Sequence, residues 1–136
     1  MQAAIVARPE INVYFDTHSY GEYLLSPWGY TASLPADYTD HQGASKAAFD
    51  AIKAVNGTGY TYGPSGSTLY PTSGSAPDGF YCQSANGTAK YSYTCELPGD
   101  RYGFLLPEEF IVPVGRETLE GYKAVARYAL ENPECA

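Results

Sequence analysis

Ile11-Asn12-Val13-Tyr14-Phe15-Asp16-Thr17, followed at once by His18-Ser19-Tyr20-Gly21, governs the reading of this chain. β-Branched and aromatic side chains crowd the run, Pro9 precedes it and a polar turn follows, so it reads as a buried strand. A histidine at the end of such a strand projects toward a cleft, because ligands of open α/β sheets bind beyond the carboxyl ends of strands. A second run, Tyr91-Ser92-Tyr93-Thr94-Cys95-Glu96-Leu97, has the same strand pattern and carries Glu96 near its end. Between them, Ala44, Ala48, Ala51, Ile52 and Val55 recur at the helical period over Asp40–Val55, with Thr39 or Asp40 as N-cap and Gly57 just past the end. A further helix from about Glu117 to Glu131 would present Leu119, Tyr122, Ala126, Ala129 and Leu130 as one apolar stripe. Strands alternating with helices predict an α/β domain on a mixed sheet.

The rest of the chain is less regular. The opening residues read as the tail of a helix, and a short strand is expected at Glu22–Leu25, stopped by Ser26-Pro27. Gly57–Gly79, rich in Gly, Ser, Thr and Pro, lacks periodicity and reads as one long ordered loop. Phe110–Val114 is a short strand candidate. No internal repeat or low-complexity tract interrupts the chain.

A formal charge of −7 and a pI near 4.6 argue against nucleic acid as a partner, since phosphate binding needs clustered Lys and Arg. No stretch approaches the roughly 20 apolar residues a bilayer span needs, so no membrane partner is expected. The first apolar run is too short for a signal-peptide core and has no basic residues before it. With only 17% charged residues and fourteen tyrosines, the chain has the composition of a globular protein. Acceptor tripeptides at Asn56-Gly57-Thr58 and Asn86-Gly87-Thr88 point to a secreted or extracellular location, or to a vacuolar or lysosomal one. Three cysteines leave the pairing open: Cys82 could close a short loop with Cys95 while Cys135 pairs outside the chain, or all three could be thiols.

Together with Leu69-Tyr70-Pro71-Thr72-Ser73-Gly74 and Arg101-Tyr102-Gly103-Phe104-Leu105-Leu106-Pro107, the two strand-end blocks resemble the zinc metallocarboxypeptidases of the pancreatic carboxypeptidase A/B type. The likeness runs from about Asn12 to Leu130 and covers the C-terminal half of the family's catalytic domain. It implies a mixed-sheet α/β fold with flanking helices, a chain that is a partial catalytic domain (residues 1–136), and a missing N-terminal half as its partner.

The resemblance also assigns roles. His18, in Asp16-Thr17-His18-Ser19-Tyr20, matches a zinc ligand, and neutral imidazole suits that borderline-soft cation. Asp16 could orient it. Zinc hydrolysis needs three protein ligands and an open position, and this chain supplies one. The family's other two come from a His-x-x-Glu motif, whereas three positions after His18 stands Gly21 and three after His41 stands Ala44. Glu96 matches the general base, Tyr70 the tyrosine that closes over the substrate's terminal carboxylate, and Tyr20 a contact farther along the peptide. The family's specificity position falls on Pro77, before Asp78, with Thr94 as a pocket wall; a Pro there cannot pair with a basic side chain, so an apolar or aromatic C-terminal residue is expected. After Leu97 the connection Pro98-Gly99-Asp100 is one residue shorter than the family's and lacks its basic residue. The substrates implied are peptide or protein C-termini. Without the resemblance, His18 is a packed or surface residue and Glu96 a salt-bridged strand-end carboxylate, and a non-catalytic binding module or inactive paralogue is the rival function.

Overall fold

The computed structural model describes residues 3, 7, 8, 10–85 and 87–136. The expected helix tail at the amino end and the acceptor Asn86 therefore fall largely outside the described residues. Four strands, β1 (Val13–Ser19), β2 (Tyr23–Ser26), β3 (Thr61–Pro64) and β4 (Tyr91–Leu97), form one sheet in the order β1-β4-β2-β3. β1 runs parallel to β4, β4 antiparallel to β2, and β2 parallel to β3, so the sheet is mixed as expected. The helices are α1 (Tyr38–Asn56), α2 (Ser65–Thr68), α3 (Ala76–Phe80) and α4 (Ile111–Glu131).

Side chains alternate across the pleat, and here the alternation divides core from site. Tyr91, Tyr93 and Cys95 of β4 point to one face and are fully buried with Leu24 against Ala44, Ala48 and Ile52 of α1 and Val125 and Ala129 of α4. Phe15 of β1 joins them, stacked on Tyr93 and on Tyr122 of α4. On the opposite face, Ser92 donates to the Pro77 carbonyl of α3 at 2.8 Å, and Thr94 and Glu96 follow at two-residue steps.

Three expectations are corrected. Residues 57–79 are not one loop: they hold β3, α2 and the start of α3. Thr61-Tyr62-Gly63-Pro64 hides its strand because Gly and Pro are depleted in strands, yet Pro is tolerated at the sheet edge that β3 occupies. Phe110–Val114 is not a strand: a 3₁₀ turn at Glu108–Phe110 leads into α4, which begins at Ile111. Pro113 sits in that helix's first turn, where no intrahelical partner awaits its absent N–H. The apolar stripe of α4 is also displaced, since Leu119 and Leu130 are exposed and the buried residues include Gly121, Ala124, Val125 and Ala129.

Small residues dictate that face. A Cβ on Gly121 would come within 2.8 Å of Ile52, and one on Gly43 would collide with the Tyr128 hydroxyl, so α1 and α4 approach more closely than larger side chains would permit. The C-terminal end of α1 closes as predicted, with Gly57 at φ +80° and its N–H on the Lys53 carbonyl. Asn56 and Thr58 both donate to Glu117 of α4, at 3.0 and 2.6 Å, so this acceptor tripeptide is engaged in joining the two helices.

The cysteines pair in a way not foreseen. Cys82 is bonded to Cys135, Cα atoms 6.4 Å apart, while Cys95 is a buried free thiol whose pKa burial pushes up to about 11. Cys95 lies on the core face of β4 and has no route to Cys82. The bridge ties the C-terminal tail to the segment before β4, beside buried Asp37, which stands at the start of α1 in place of the expected Thr39 or Asp40 and makes no side-chain cap bond to that helix. Asp37 accepts from the Tyr81 hydroxyl at 2.7 Å and from the Ala136 amide at 3.0 Å. Next to it, the buried Lys90 ammonium reaches Asp40 at 2.6 Å.

His41, one turn into α1, is fully buried among Tyr81, Tyr91 and Tyr93. Its Nε2 donates to the Lys90 carbonyl at 2.7 Å, and Nδ1 has no partner among the described residues. Burial lowers its pKa below the ordinary 6.5, with the Lys90 carbonyl and the Asp37 and Asp40 charges opposing. The unfolded chain therefore takes up a proton below about pH 6.5 that the folded chain refuses, and this part of the stability is lost as pH falls through that value. Thermal unfolding in dilute solution should show the wild type losing stability between about pH 7 and 5.5, and His41→Gln losing distinctly less over that interval; equal losses would remove His41 from the account.

Candidate active site

The β1–β4 register sets Asp16 beside Thr94 and His18 beside Glu96 as Cα partners. All four share the sheet face opposite the helical core, at the carboxyl ends of two parallel strands. A cavity of about 390 Å³ opens over them. Its floor is Asp16, His18, Thr94 and Glu96, and its walls are Leu25 of β2, Ser65 of α2, Leu69, Tyr70 and Thr72 of the following turn, and Gly74, Ser75 and Ala76 leading into α3. A larger groove of about 500 Å³, between Leu97, Leu106, Phe110 and α4, is lined almost wholly by apolar side chains and offers little chemistry.

Of the residues singled out from sequence, His18, Glu96, Tyr70 and Thr94 meet in this cavity. Tyr70 is 64% exposed, so its ring can move without unpacking the core. Tyr20, Pro77 and Asp78 do not line it. Tyr20 packs edge-on against Phe104 at 4.9 Å, next to Gly99 and Gly103. Pro77 is buried in α3 beneath the sheet. The Asp78 carboxylate accepts from the Gly29 and Tyr30 amides at 2.9 to 3.2 Å, fastening the turn after β2; burial nevertheless raises its pKa, against those hydrogen bonds.

Partial burial raises the Glu96 pKa above the ordinary carboxylate value; the His18 ring opposes this and the Asp16 charge adds to it. A carboxylate tuned upward in a cleft is suited to take a proton and return it. The His18 Nε2 lies 3.0 Å from Asp16 Oδ2; with that nitrogen turned to the carboxylate, the lone pair of Nδ1 is the one left for a metal. His18 thus fits a zinc ligand, one of the three a catalytic ion requires. The one group of three clustered metal-capable side chains among the described residues, Asp37, Cys82 and Cys135, lies elsewhere and has its sulfurs joined.

The hydroxyls of Ser65, Thr72 and Ser75 and the side chain of Leu25 escaped the sequence reading. They belong to short elements inside the supposed loop and to a strand read without its facing direction; alternation along Tyr23–Ser26 was the one available signal.

A model of the zinc carboxypeptidase family matches residues 1–121. The chain is 44% identical over 119 residues to carboxypeptidase B of Astacus astacus, covering 87% of this chain and 38% of that enzyme. It is 41% identical over 123 residues to carboxypeptidase B of Bos taurus, covering 90% of this chain and 28% of that protein. Among solved structures, carboxypeptidase A of Helicoverpa armigera superposes with a TM-score of 0.87 at 31% identity, over 96% of this chain and 33% of that one. Bovine thrombin-activatable fibrinolysis inhibitor, in complex with tick carboxypeptidase inhibitor, superposes at 0.86 and 30% identity, over 96% and 44%. The chain thus spans less than half the length of these relatives, and the family model matched over residues 1–121, together with the superposed fold, shows that it belongs to the zinc carboxypeptidase family.

Proposed function

We propose that this chain forms the C-terminal part of the catalytic domain of a zinc-dependent carboxypeptidase that removes single residues from peptide and protein C-termini. The observation that carries the reading is the parallel register bringing His18 and Glu96 together on the floor of a cavity edged by Tyr70. His18 would hold the zinc with two ligands from outside this chain. When bound, zinc supplies a Lewis acid that polarises the scissile carbonyl and makes water a stronger nucleophile. Glu96 takes the proton from the attacking water on its carboxylate and delivers it to the departing amine. Tyr70 donates its hydroxyl hydrogen to the substrate's terminal carboxylate, and closing over the cavity excludes solvent. Tyr20, outside the cavity and 44% exposed, would meet residues farther along the peptide.

β1 supports the partial-domain reading, because it forms the outer strand of the sheet and its far edge has no strand partner among the described residues. The Cys82–Cys135 bridge supports an oxidising compartment, secretory or vacuolar. An apolar C-terminal residue, expected from Pro77, now rests only on Leu25, Leu69 and Ala76, since Pro77 does not line the cavity.

The 136-residue chain alone should bind zinc weakly and release no C-terminal residue, since one imidazole cannot hold a catalytic ion. Tight equimolar zinc by metal analysis together with peptidase activity would overturn this. Joined to the amino-terminal part of a relative's catalytic domain, the chain should gain both. In that protein Glu96→Gln should abolish turnover with zinc content intact, and His18→Ala should lose both. Tyr70→Phe should mainly weaken substrate binding, by about 1.5 to 3 kcal/mol for one hydrogen bond to a charged carboxylate. A Glu96→Gln variant that keeps its activity would refute the base assignment.

A further inference from the structure

We infer that Tyr122 of α4 is a positioning residue for the strand-end site: its hydroxyl holds Thr17 and Cys95, the residues immediately before His18 and Glu96, and so fixes how those two groups stand to each other. The inference rests on the carboxypeptidase reading and names a residue outside the cavity on which that chemistry depends. In the β1–β4 register Thr17 is the Cα partner of Cys95, as His18 is of Glu96. Alternation sends Thr17 and Cys95 to the face opposite the cavity, where α4 packs. There the Tyr122 and Thr17 hydroxyls lie 2.6 Å apart, and the Cys95 thiol stands near the same tyrosine oxygen.

This end of the sheet needs such a tie. β1 is an outer strand, and its last residues, Thr17, His18 and Ser19, are exposed. Strand ends whose hydrogen bonds face solvent open most readily. The contact of His18 with Asp16 holds the ring to its own strand and does nothing to join β1 to β4. Tyr122 reaches both strands from the helical side. Phe15 stacks on its ring with centroids 3.9 Å apart, and the ring also lines the apolar groove beside Leu97. Packing thus grips the ring on one face, while the hydroxyl sets where its tip meets the strands. Burial raises the Tyr122 pKa above its ordinary value, so the hydroxyl keeps its proton. A phenolic hydroxyl can accept one hydrogen bond and donate another, so a single oxygen can serve a residue of each strand.

Tyr122→Phe separates positioning from packing, because it keeps the ring. In the chain joined to a relative's amino-terminal part, this variant should lower kcat about three- to tenfold, the rate equivalent of one neutral hydrogen bond, with KM unchanged. It should also release zinc to a chelator faster by a similar factor. Thr17→Val should reproduce both effects, and the double variant should be no worse than either single one, since all remove the same bond. Tyr128→Phe takes a hydroxyl from the same helix at its contact with Gly43 of α1, and should leave kcat and zinc release unchanged. Unaltered kcat and zinc release in Tyr122→Phe, additive effects in the double variant, or equal effects from Tyr128→Phe would overturn the proposal. If the joined wild type turns over no substrate, the carboxypeptidase reading fails, and the 136-residue chain decides this one. Above about pH 8, where imidazole is neutral, the ring nitrogen resonances of His18 should report one dominant tautomer, with Nε2–H toward Asp16, in the wild type and in Tyr128→Phe. Tyr122→Phe should give a mixture of tautomers; any other pattern overturns it.

Discussion

Parallel pairing of β1 with β4 is the constraint on which the site depends. Two strands that run the same way end at the same edge, so residues near their carboxyl ends meet without any long loop to position them. His18 and Glu96, 78 positions apart, become neighbours through backbone hydrogen bonds alone. A slip of one residue would turn every side chain of β1 to the opposite face, exchanging His18 for Thr17 and Asp16 for Phe15. The core forbids that slip. Phe15 stacks on Tyr122 with ring centroids 3.9 Å apart, and the Thr17 and Tyr122 hydroxyls bond at 2.6 Å, so α4 holds the register that aims the site.

The largest fully buried side chains are tyrosines, and part of the interior's energetics follows from that. Tyr81, Tyr91 and Tyr93 are fully buried, and each spends its hydroxyl proton on a specific acceptor: Asp37, the Asn132 carbonyl and the His41 carbonyl. Burial drives their pKa values far up, so they remain neutral donors. Each tether fixes an orientation that an apolar ring would leave to packing, at the cost of requiring its acceptor in place. Asp37 gathers several such demands at once. It joins the start of α1, the segment before β4 and the C-terminal tail, where the Cys82–Cys135 bridge adds a covalent tie.

Much of this was legible in the chain because local pattern and tertiary role agreed. Ile11–Thr17 and Tyr91–Leu97 are dense in β-branched and aromatic residues, and the pleat then carries their polar residues to one face. α1 was legible from its alanine spacing and from Gly57. What stayed hidden was structure set by partners distant in sequence. β3 is a strand because β2 lies beside it, in spite of its Gly and Pro. The buried face of α4 is chosen by close approach to α1 at Gly121, which a count of large apolar residues reads backwards. Cys82 meets Cys135 only because the tail after α4 returns to Asp37. For Pro77 and Asp78 the sequence left two readings, a specificity position and a loop cap; Pro77 lies buried in α3 and the Asp78 carboxylate accepts from the Gly29 and Tyr30 amides, as a loop cap does.

The separation of faces has a consequence for how such a site varies. Residues on the cavity face, Asp16, Thr94, Ser65, Thr72 and Ser75, sit apart from the packed core of Tyr91, Tyr93, Ile52 and Val125. Changing their polarity alters the cavity's chemistry without opening a void, so the cost in stability stays far below that of a core substitution. Under the proposed function His18 and Glu96 lack that freedom, since a shift in either would change the proposed reaction. A pair of strand-end groups held in register by the core can thus be surrounded by walls whose polarity is free to change. Which side chains line the cavity is set by strand register as much as by place in a loop: Asp16 and Thr94 reach it from paired strands, whereas Pro77 and Asp78 do not line it.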